Sequence, residues 1–229
     1  MGKAIEEIAI ARGHEIVLKI SSSNKNELTA ENLAKADAAI EFTNPESAFE
    51  NLETLINAGV PTVCGSTGWL DARTAIESLA REKNGSFLYT SNFSIGVNLF
   101  FELNSYLAKL MSVHSEYNVA MEEIHHTAKK DAPSGTAITL AEQILAHVSR
   151  KKDWVKEWEE KPSDLAIKSV RVDPAPGTHI ITYSSDIDGI EIKHTAHNRK
   201  GFAFGAVLAA EYVAGKKGIF TMKDVLGIS

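Results

Sequence analysis

The sequence predicts an α/β protein: a parallel sheet covered by helices on both faces, joined to a second α+β domain built on a mixed sheet. Three observations carry this. Short apolar strands alternate with amphipathic helices over residues 1–94, the pattern of a buried parallel sheet. From Ile95 the pattern changes to one long helix and then to segments that alternate apolar and polar residues. Between the strands and helices of the first part lie loops rich in Gly, Ser, Thr and Asn, at the end of the sheet where ligands bind.

The elements follow in order. Met1-Gly2-Lys3 leads into a helix with Ile5, Ile8 and Ala9 on one face, ended by Gly13-His14. Glu15–Ile20 reads as a strand, followed by a polar loop from Ser21 to about Glu31. Ala36–Phe42 is an apolar strand. Thr43-Asn44-Pro45 starts the next helix, with proline in its first turn, and Phe49, Leu52 and Leu55 line its inner face. Pro61–Cys64 is a short strand, a helix runs from about Leu70 to Lys83, and Phe87–Thr90 is the next strand. A long helix begins at Gly96-Val97-Asn98, with Leu99, Leu103, Leu107 and Leu110 on one face. Ser149–Asp164 reads as a surface segment pinned by Trp154 and Trp158. Ile167–Val172, His179–Ser185 and Ile190–Ala196 alternate like antiparallel strands. An apolar helix over about Gly201–Gly215 and a short one at Met222–Leu226 close the chain.

Composition narrows the function. The chain has 229 residues, 44% of them hydrophobic, enough for a core. A net charge of −6 argues against nucleic acid as a partner. The single cysteine, Cys64, leaves no internal disulfide framework and fits a reducing cytoplasm. No apolar run approaches the roughly 20 residues that span a membrane, and no charged-then-apolar leader opens the chain.

The chemistry concentrates in Glu122–Ala137. Val119, Met121 and Glu123 alternate with Ala120, Glu122 and Ile124 as in a strand. Ile138, Ala141, Ile144, Leu145 and Val148 recur at helical spacing. The residues between them, His125-His126-Thr127-Ala128-Lys129-Lys130-Asp131-Ala132-Pro133-Ser134, form a strand-to-helix loop. A helix start offers unpaired N–H groups and a dipole that favours anions. Two histidines and a lysine beside it make a pocket for a small carboxylate with proton donors at hand. Each piece alone is ordinary: a surface histidine pair, a solvated lysine pair, a helix cap. A metal site of His125, His126, His194 and His197 is disfavoured, because adjacent strand residues point to opposite sides.

The combination resembles the dihydrodipicolinate reductase family, whose signature reads His-His, two variable residues, Lys, one variable residue, then Asp-Ala-Pro-Ser-Gly-Thr-Ala. The match runs without a gap from His125 to Ala137. Three loops also resemble the family's cofactor loops: Glu41-Phe42-Thr43-Asn44-Pro45, Gly65-Ser66-Thr67-Gly68 and Thr90-Ser91-Asn92-Phe93. Glu41 stands where the family has Asp, and Ser66 where it has Thr. His194–Arg199 and Phe202–Ala206 extend the likeness nearly to the C-terminus.

The resemblance implies a cytoplasmic reductase that passes a hydride from NADPH or NADH to a small cyclic dicarboxylate, in diaminopimelate and lysine biosynthesis. It implies a Rossmann-like domain over 1–94 plus 200–229 and a substrate-binding and oligomerisation domain over 95–199, assembled as a homotetramer. His125 and Lys129 take the acid–base roles. His126, Gly135 and Thr136 contact the substrate. Gly65, Ser66 and Thr67, with Thr90, Ser91, Asn92 and Phe93, hold the dinucleotide, and no metal is expected. Two departures stand out. Ser21 and Ser22, with Lys25 further on, occupy the place where relatives put a ribose-reading acid, which leans toward NADPH or dual use. Gly2 matches only the third glycine of the Gly-x-Gly-x-x-Gly turn, so the first strand and the first two glycines are expected to be missing. The other reading of the chain is therefore a truncated, non-catalytic homologue that keeps the dicarboxylate site and the oligomer interface.

Overall fold

The computed structural model describes residues 1–158, 161–198 and 200–228. Residues 159–160 of the tryptophan-bearing segment, and Arg199, lie outside the described residues. Two compact units emerge, residues 1–95 with 200–229, and residues 96–199.

The first unit carries a four-stranded parallel sheet in the order β1 (Ala39–Glu41), β2 (Thr62–Cys64), β3 (Ser86–Tyr89) and β9 (Gly218–Phe220). Its strands are apolar on both faces because helices cover both. On one side Val63 and Leu88 pack with α1 (Gly2–Ala11) and α7 (Lys200–Val213), through Ile5, Ala9, Ala203, Ala206 and Ala210. On the other, Cys64, Phe87 and Tyr89 pack with α3 (Pro45–Asn57) and α4 (Arg73–Glu82). Asn44 caps α3 by accepting from the Ser47 N–H, and Pro45 takes the first turn. Leu52 and Leu55 of α3 are buried as expected, but Phe49 is 36% exposed and stands at the edge of that face.

Glu15–Ile20 is not a strand. Its apolar residues suit one, but a strand exists only by pairing, and no described strand lies against it or against the free edge of β1. Ile16 and Val17 are 38% and 41% exposed in consequence.

The second unit is a five-stranded mixed sheet, in the order β5 (Asp153–Lys156), β6 (Asp164–Arg171), β4 (Asn118–His125), β7 (Thr178–Ser184) and β8 (Gly189–Thr195). The pairing corrects the sequence reading in two places. β6 lies parallel to both β4 and β5, while β7 pairs antiparallel with both β4 and β8. The segment read as plain surface supplies β5: Trp154 packs against the core, while Trp158 is 74% exposed. α5 (Ile95–Met111) and α6 (Gly135–His147) cover one face of the sheet, meeting Val119, Met121, Leu165, Ile167, Ile181 and Tyr183. α5 turns Phe100, Ala108 and Met111 to that core. Of the leucine row only Leu107 packs against it; Leu99, Leu103 and Leu110 are about half exposed.

Candidate functional site

In the second unit the site is built on the end of β4. Strand alternation buries Val119, Met121, Glu123 and His125 on the helix-covered face. His126 sits just past the strand and is half-buried. The loop then runs to α6, where Ser134 caps the helix by accepting from the Ala137 N–H at 3.2 Å. Gly135 opens the helix, exposed, with nothing within 4 Å of its missing Cβ. Thr136, half-buried, follows it.

A fully buried carboxylate organises this corner. Glu123 accepts from the Ser134 N–H with both oxygens at 3.1 Å, from Ser169 Oγ at 2.8 Å and from Arg171 Nη2 at 2.9 Å. Burial alone would push its carboxyl up; the nearby His125 imidazole and the hydrogen bonds from Ser134, Arg171 and Ser169 together hold it well below the usual carboxylate range. His125 Nδ1 approaches Glu123 Oε2 to 3.3 Å, but at an angle outside hydrogen-bond geometry. His179, on β7, packs edge-on against the His125 ring, with centroids 5.2 Å apart, and places Nε2 3.2 Å from Ser134 Oγ. Burial, and then the charge of His125, pushes His179 down to about 4. On its far side His125 meets Gly177, whose missing Cβ would lie 3.1 Å from Nε2.

Lys129 reaches back within the loop to Asp131, with Nζ 2.8 Å from each carboxylate oxygen. This cation holds the Asp131 carboxyl below its ordinary value. The loop is tethered twice more. Thr127 donates its N–H and hydroxyl to Asp173 at 3.2 and 2.5 Å, and Arg171 Nη2 donates to the Asp131 carbonyl at 2.7 Å. His125, Lys129, Gly135 and Thr136 therefore lie on one strand-loop-helix unit, as read from the sequence. Glu123, Arg171 and His179 were not anticipated. The signal for the first was present: an acid in the inward row of an otherwise apolar strand demands a partner.

Among the described residues, Glu123, His125 and His179 form a group with metal-ligand spacing, not the four histidines considered from sequence. Arg171, Ser169 and the Ser134 N–H already occupy bonding directions of the Glu123 carboxylate.

In the first unit, parallel register sets Glu41, Cys64 and Tyr89 side by side. The three loops that follow leave the sheet together. They are braced from below. Glu41, buried, accepts from the Thr43 N–H at 3.0 Å, from the Thr43 hydroxyl, and from Cys64 Sγ at 3.2 Å. Burial, followed by the Glu41 charge, pushes the Cys64 thiol far up, so it stays a proton donor. Ser66 Oγ accepts from the Thr43 N–H at 2.8 Å, and the Ser66 carbonyl from Trp69 Nε1 at 2.8 Å. Thr67 is left exposed at the loop tip. A side chain at Gly65 would fall 2.2 Å from the Phe42 ring. The third loop folds on itself: Thr90 Oγ1 donates to the Asn92 carbonyl at 3.0 Å, and Asn92 Oδ1 accepts from the Ser94 N–H at 2.9 Å. Ser91 is exposed and Phe93 buried. Gly2 is the exposed first residue of α1.

Comparison with known proteins places these two units. Residues 1–93 match the family model described as dihydrodipicolinate reductase, N-terminus, and residues 96–226 the one described as dihydrodipicolinate reductase, C-terminus. A 4-hydroxy-tetrahydrodipicolinate reductase of Christiangramia forsetii is 49% identical over 226 residues, covering 99% of this chain and 93% of the relative. One from Neisseria gonorrhoeae is 33% identical over 231 residues, covering 98% and 84%. Among solved structures, a dipicolinate-bound dihydrodipicolinate reductase from Paenisporosarcina sp. TG-14 superposes with a TM-score of 0.77 at 23% identity, covering 96% of this chain and 92% of that one. An amine dehydrogenase from Mycobacterium smegmatis shares the fold at a TM-score of 0.62 and 11% identity, covering 97% and 92%.

Proposed function

Because this chain belongs to the dihydrodipicolinate reductase family, we propose how its own residues carry out that family's reduction. The activity is that of a nicotinamide-dependent 4-hydroxy-tetrahydrodipicolinate reductase of diaminopimelate and lysine biosynthesis. The substrate, one dinucleotide hydride and one proton give tetrahydrodipicolinate, water and the oxidised dinucleotide. The dinucleotide, when bound, supplies the hydride.

The remaining work falls to the protein. Negative charge delocalised over the ring must be quenched by a proton, and an imidazole or ammonium group delivers one near neutral pH. We assign His125 and Lys129 to this role. The Gly135 N–H and the Thr136 hydroxyl and N–H, at the start of α6, hold a substrate carboxylate, and His126 contacts the substrate from the strand end. The observation that carries this reading is the single strand-loop-helix unit bearing all five residues. In the free protein Asp131 occupies Lys129, so the arriving dicarboxylate takes over a cation already paired with an anion.

Gly65, Ser66, Thr67, Thr90, Ser91, Asn92 and Phe93 fit a dinucleotide, since their loops leave one sheet edge at one level and are braced by Glu41. Gly2 adds the α1 start. Ser21 and Ser23 share a hydroxyl hydrogen bond of 2.8 Å, with no acid among residues 21–26, which supports use of NADPH as well as NADH. Lys25 can reach a 2′-phosphate only by leaving Glu50, 2.6 Å away. The outward row Leu99, Leu103, Tyr106 and Leu110 of α5 supports assembly through the second unit, with a homotetramer as the form to test by light scattering. No helix among the described residues is long and apolar enough to cross a membrane, and we place the enzyme in the cytoplasm.

The test is oxidation of NADPH and of NADH on addition of 4-hydroxy-tetrahydrodipicolinate. His125→Ala and Lys129→Ala should each lower turnover by roughly 10²–10⁴-fold while dinucleotide binding persists. Undiminished turnover in both variants would remove them from the proton chemistry.

A further inference from the structure

Glu123 has no part in the proton transfers assigned above, yet its side chain is wholly enclosed and three other elements converge on it. It sits in the inward row of β4 with a side-chain exposure of 0%. Ser134 comes from the start of α6, Ser169 and Arg171 from β6, and His179 from β7, with Nε2 at 3.9 Å. Enclosing an ionised carboxylate in a buried strand row is costly unless its bonds are all made. A core built only for stability would carry an apolar residue here, as at positions 119 and 121 of the same row.

We propose that Glu123 is a positioning residue for the reduction: its carboxylate sets the ring and tautomer of His125 and, through the Ser134 N–H, the start of the helix that receives the substrate carboxylate. The inference rests on the reading of His125 and of the α6 start given above. A carboxylate 3.3 Å from Nδ1 favours the form with the proton on that nitrogen, which leaves Nε2 as the nitrogen free for exchange. A small rotation of the ring brings Nδ1–H into line with Oε2, and His179 packs edge-on against that ring. Ser134 is held twice, by Glu123 at its N–H and by His179 at its hydroxyl. One carboxylate thus fixes a proton-transfer group and an anion-binding group relative to each other. The competing use of Glu123, His125 and His179, a cation site, is disfavoured by the guanidinium 2.9 Å away.

The experiment compares Glu123→Gln and Glu123→Asp in the whole chain. Turnover, the KM for each substrate and the ¹⁵N shifts of the His125 imidazole are measured at one pH. With Glu123→Gln, turnover should fall about 10²-fold, the size of effect that misplacement by about 1 Å produces. The dinucleotide KM should hold, and the imidazole signals should move toward the Nε2–H form. Glu123→Asp, which keeps the charge, should recover part of the turnover and the original tautomer. Unchanged turnover or unmoved imidazole signals in Glu123→Gln, or no recovery in Glu123→Asp, would overturn the proposal. If Glu123→Gln does not fold, Glu123→Asp decides: a kept tautomer with lowered turnover supports the proposal, and a lost tautomer or wild-type turnover overturns it. Absence of substrate-dependent turnover in the wild type would instead defeat the parent reading, while the imidazole signals would still report on Glu123.

Discussion

Arg171 closes on Glu123 from the neighbouring strand, Nη2 to Oε1 at 2.9 Å, and the same nitrogen holds the Asp131 carbonyl at 2.7 Å. A strand carboxylate and the signature loop therefore share one guanidinium. Removing it with Arg171→Met leaves a buried charge short of its counter-ion, which costs about 3–5 kcal/mol. Urea unfolding should show the lowered midpoint. A loss below about 1 kcal/mol would mean that the two serines suffice to hold Glu123.

His179 makes stability depend on pH in a defined window. Its folded value, about 4, lies below the roughly 6.5 of an unfolded histidine. Between these values the unfolded chain binds the extra proton, so stability falls as pH falls from about 6.5 to 4 and levels off below. The side chain is only 7% exposed, and the loss amounts to about 3 kcal/mol at most. Glu123 acts in a lower window: its depressed carboxyl contributes above the ordinary carboxylate value and loses that contribution as the pH falls further. Melting temperatures taken from pH 7 to 4 should drop for the wild type and change less for His179→Gln. Parallel curves would exclude His179 as the source.

Thr136→Val should weaken inhibition by pyridine-2,6-dicarboxylate about tenfold, since one hydroxyl donor to a carboxylate is lost at constant shape. Inhibition constants measured side by side decide this. Equal values would take the hydroxyl out of the substrate corner and leave only the backbone of the α6 start.

Gly205→Ala should destabilise the first unit. The new methyl would fall 1.8 Å from the Phe93 carbonyl oxygen, where backbone rather than a flexible side chain must give way. A cost of about 1–3 kcal/mol follows, with weaker dinucleotide binding because Asn92-Phe93 is displaced. Thermal unfolding and calorimetric titration with NADPH test the two parts. A fully stable variant would show that α7 can move off this loop.

Local chemistry was legible wherever it lay within one run of sequence. His125 through Thr136 declared a strand, a loop and a helix start by alternation, helical spacing and capping residues, and the loops after β1, β2 and β3 declared themselves by glycine and proline. What converges from a distance was not. Arg171 and His179 reach Glu123 across 48 and 56 positions, and only the register of β4 with β6 and β7 brings them there. Glu15–Ile20 failed in the opposite sense, since its residues suit a strand but pairing is a property of neighbours. The leucine row of α5 has perfect helical spacing, and spacing alone does not say which of two apolar faces looks inward. Phe100 and Met111 won that competition.

The inward row of β4 also protects the chemistry against misalignment. Acid and histidine each occur as a doublet, Glu122-Glu123 and His125-His126, with Ile124 between them. A slip of the strand by one place in one direction would put His126 where His125 belongs, but Ile124 where Glu123 belongs. A slip in the other direction would supply Glu122 for Glu123 but bury Ile124 in place of His125. A misread frame therefore always breaks the acid–histidine couple, and a misfolded copy cannot pass as a half-active enzyme that still holds both.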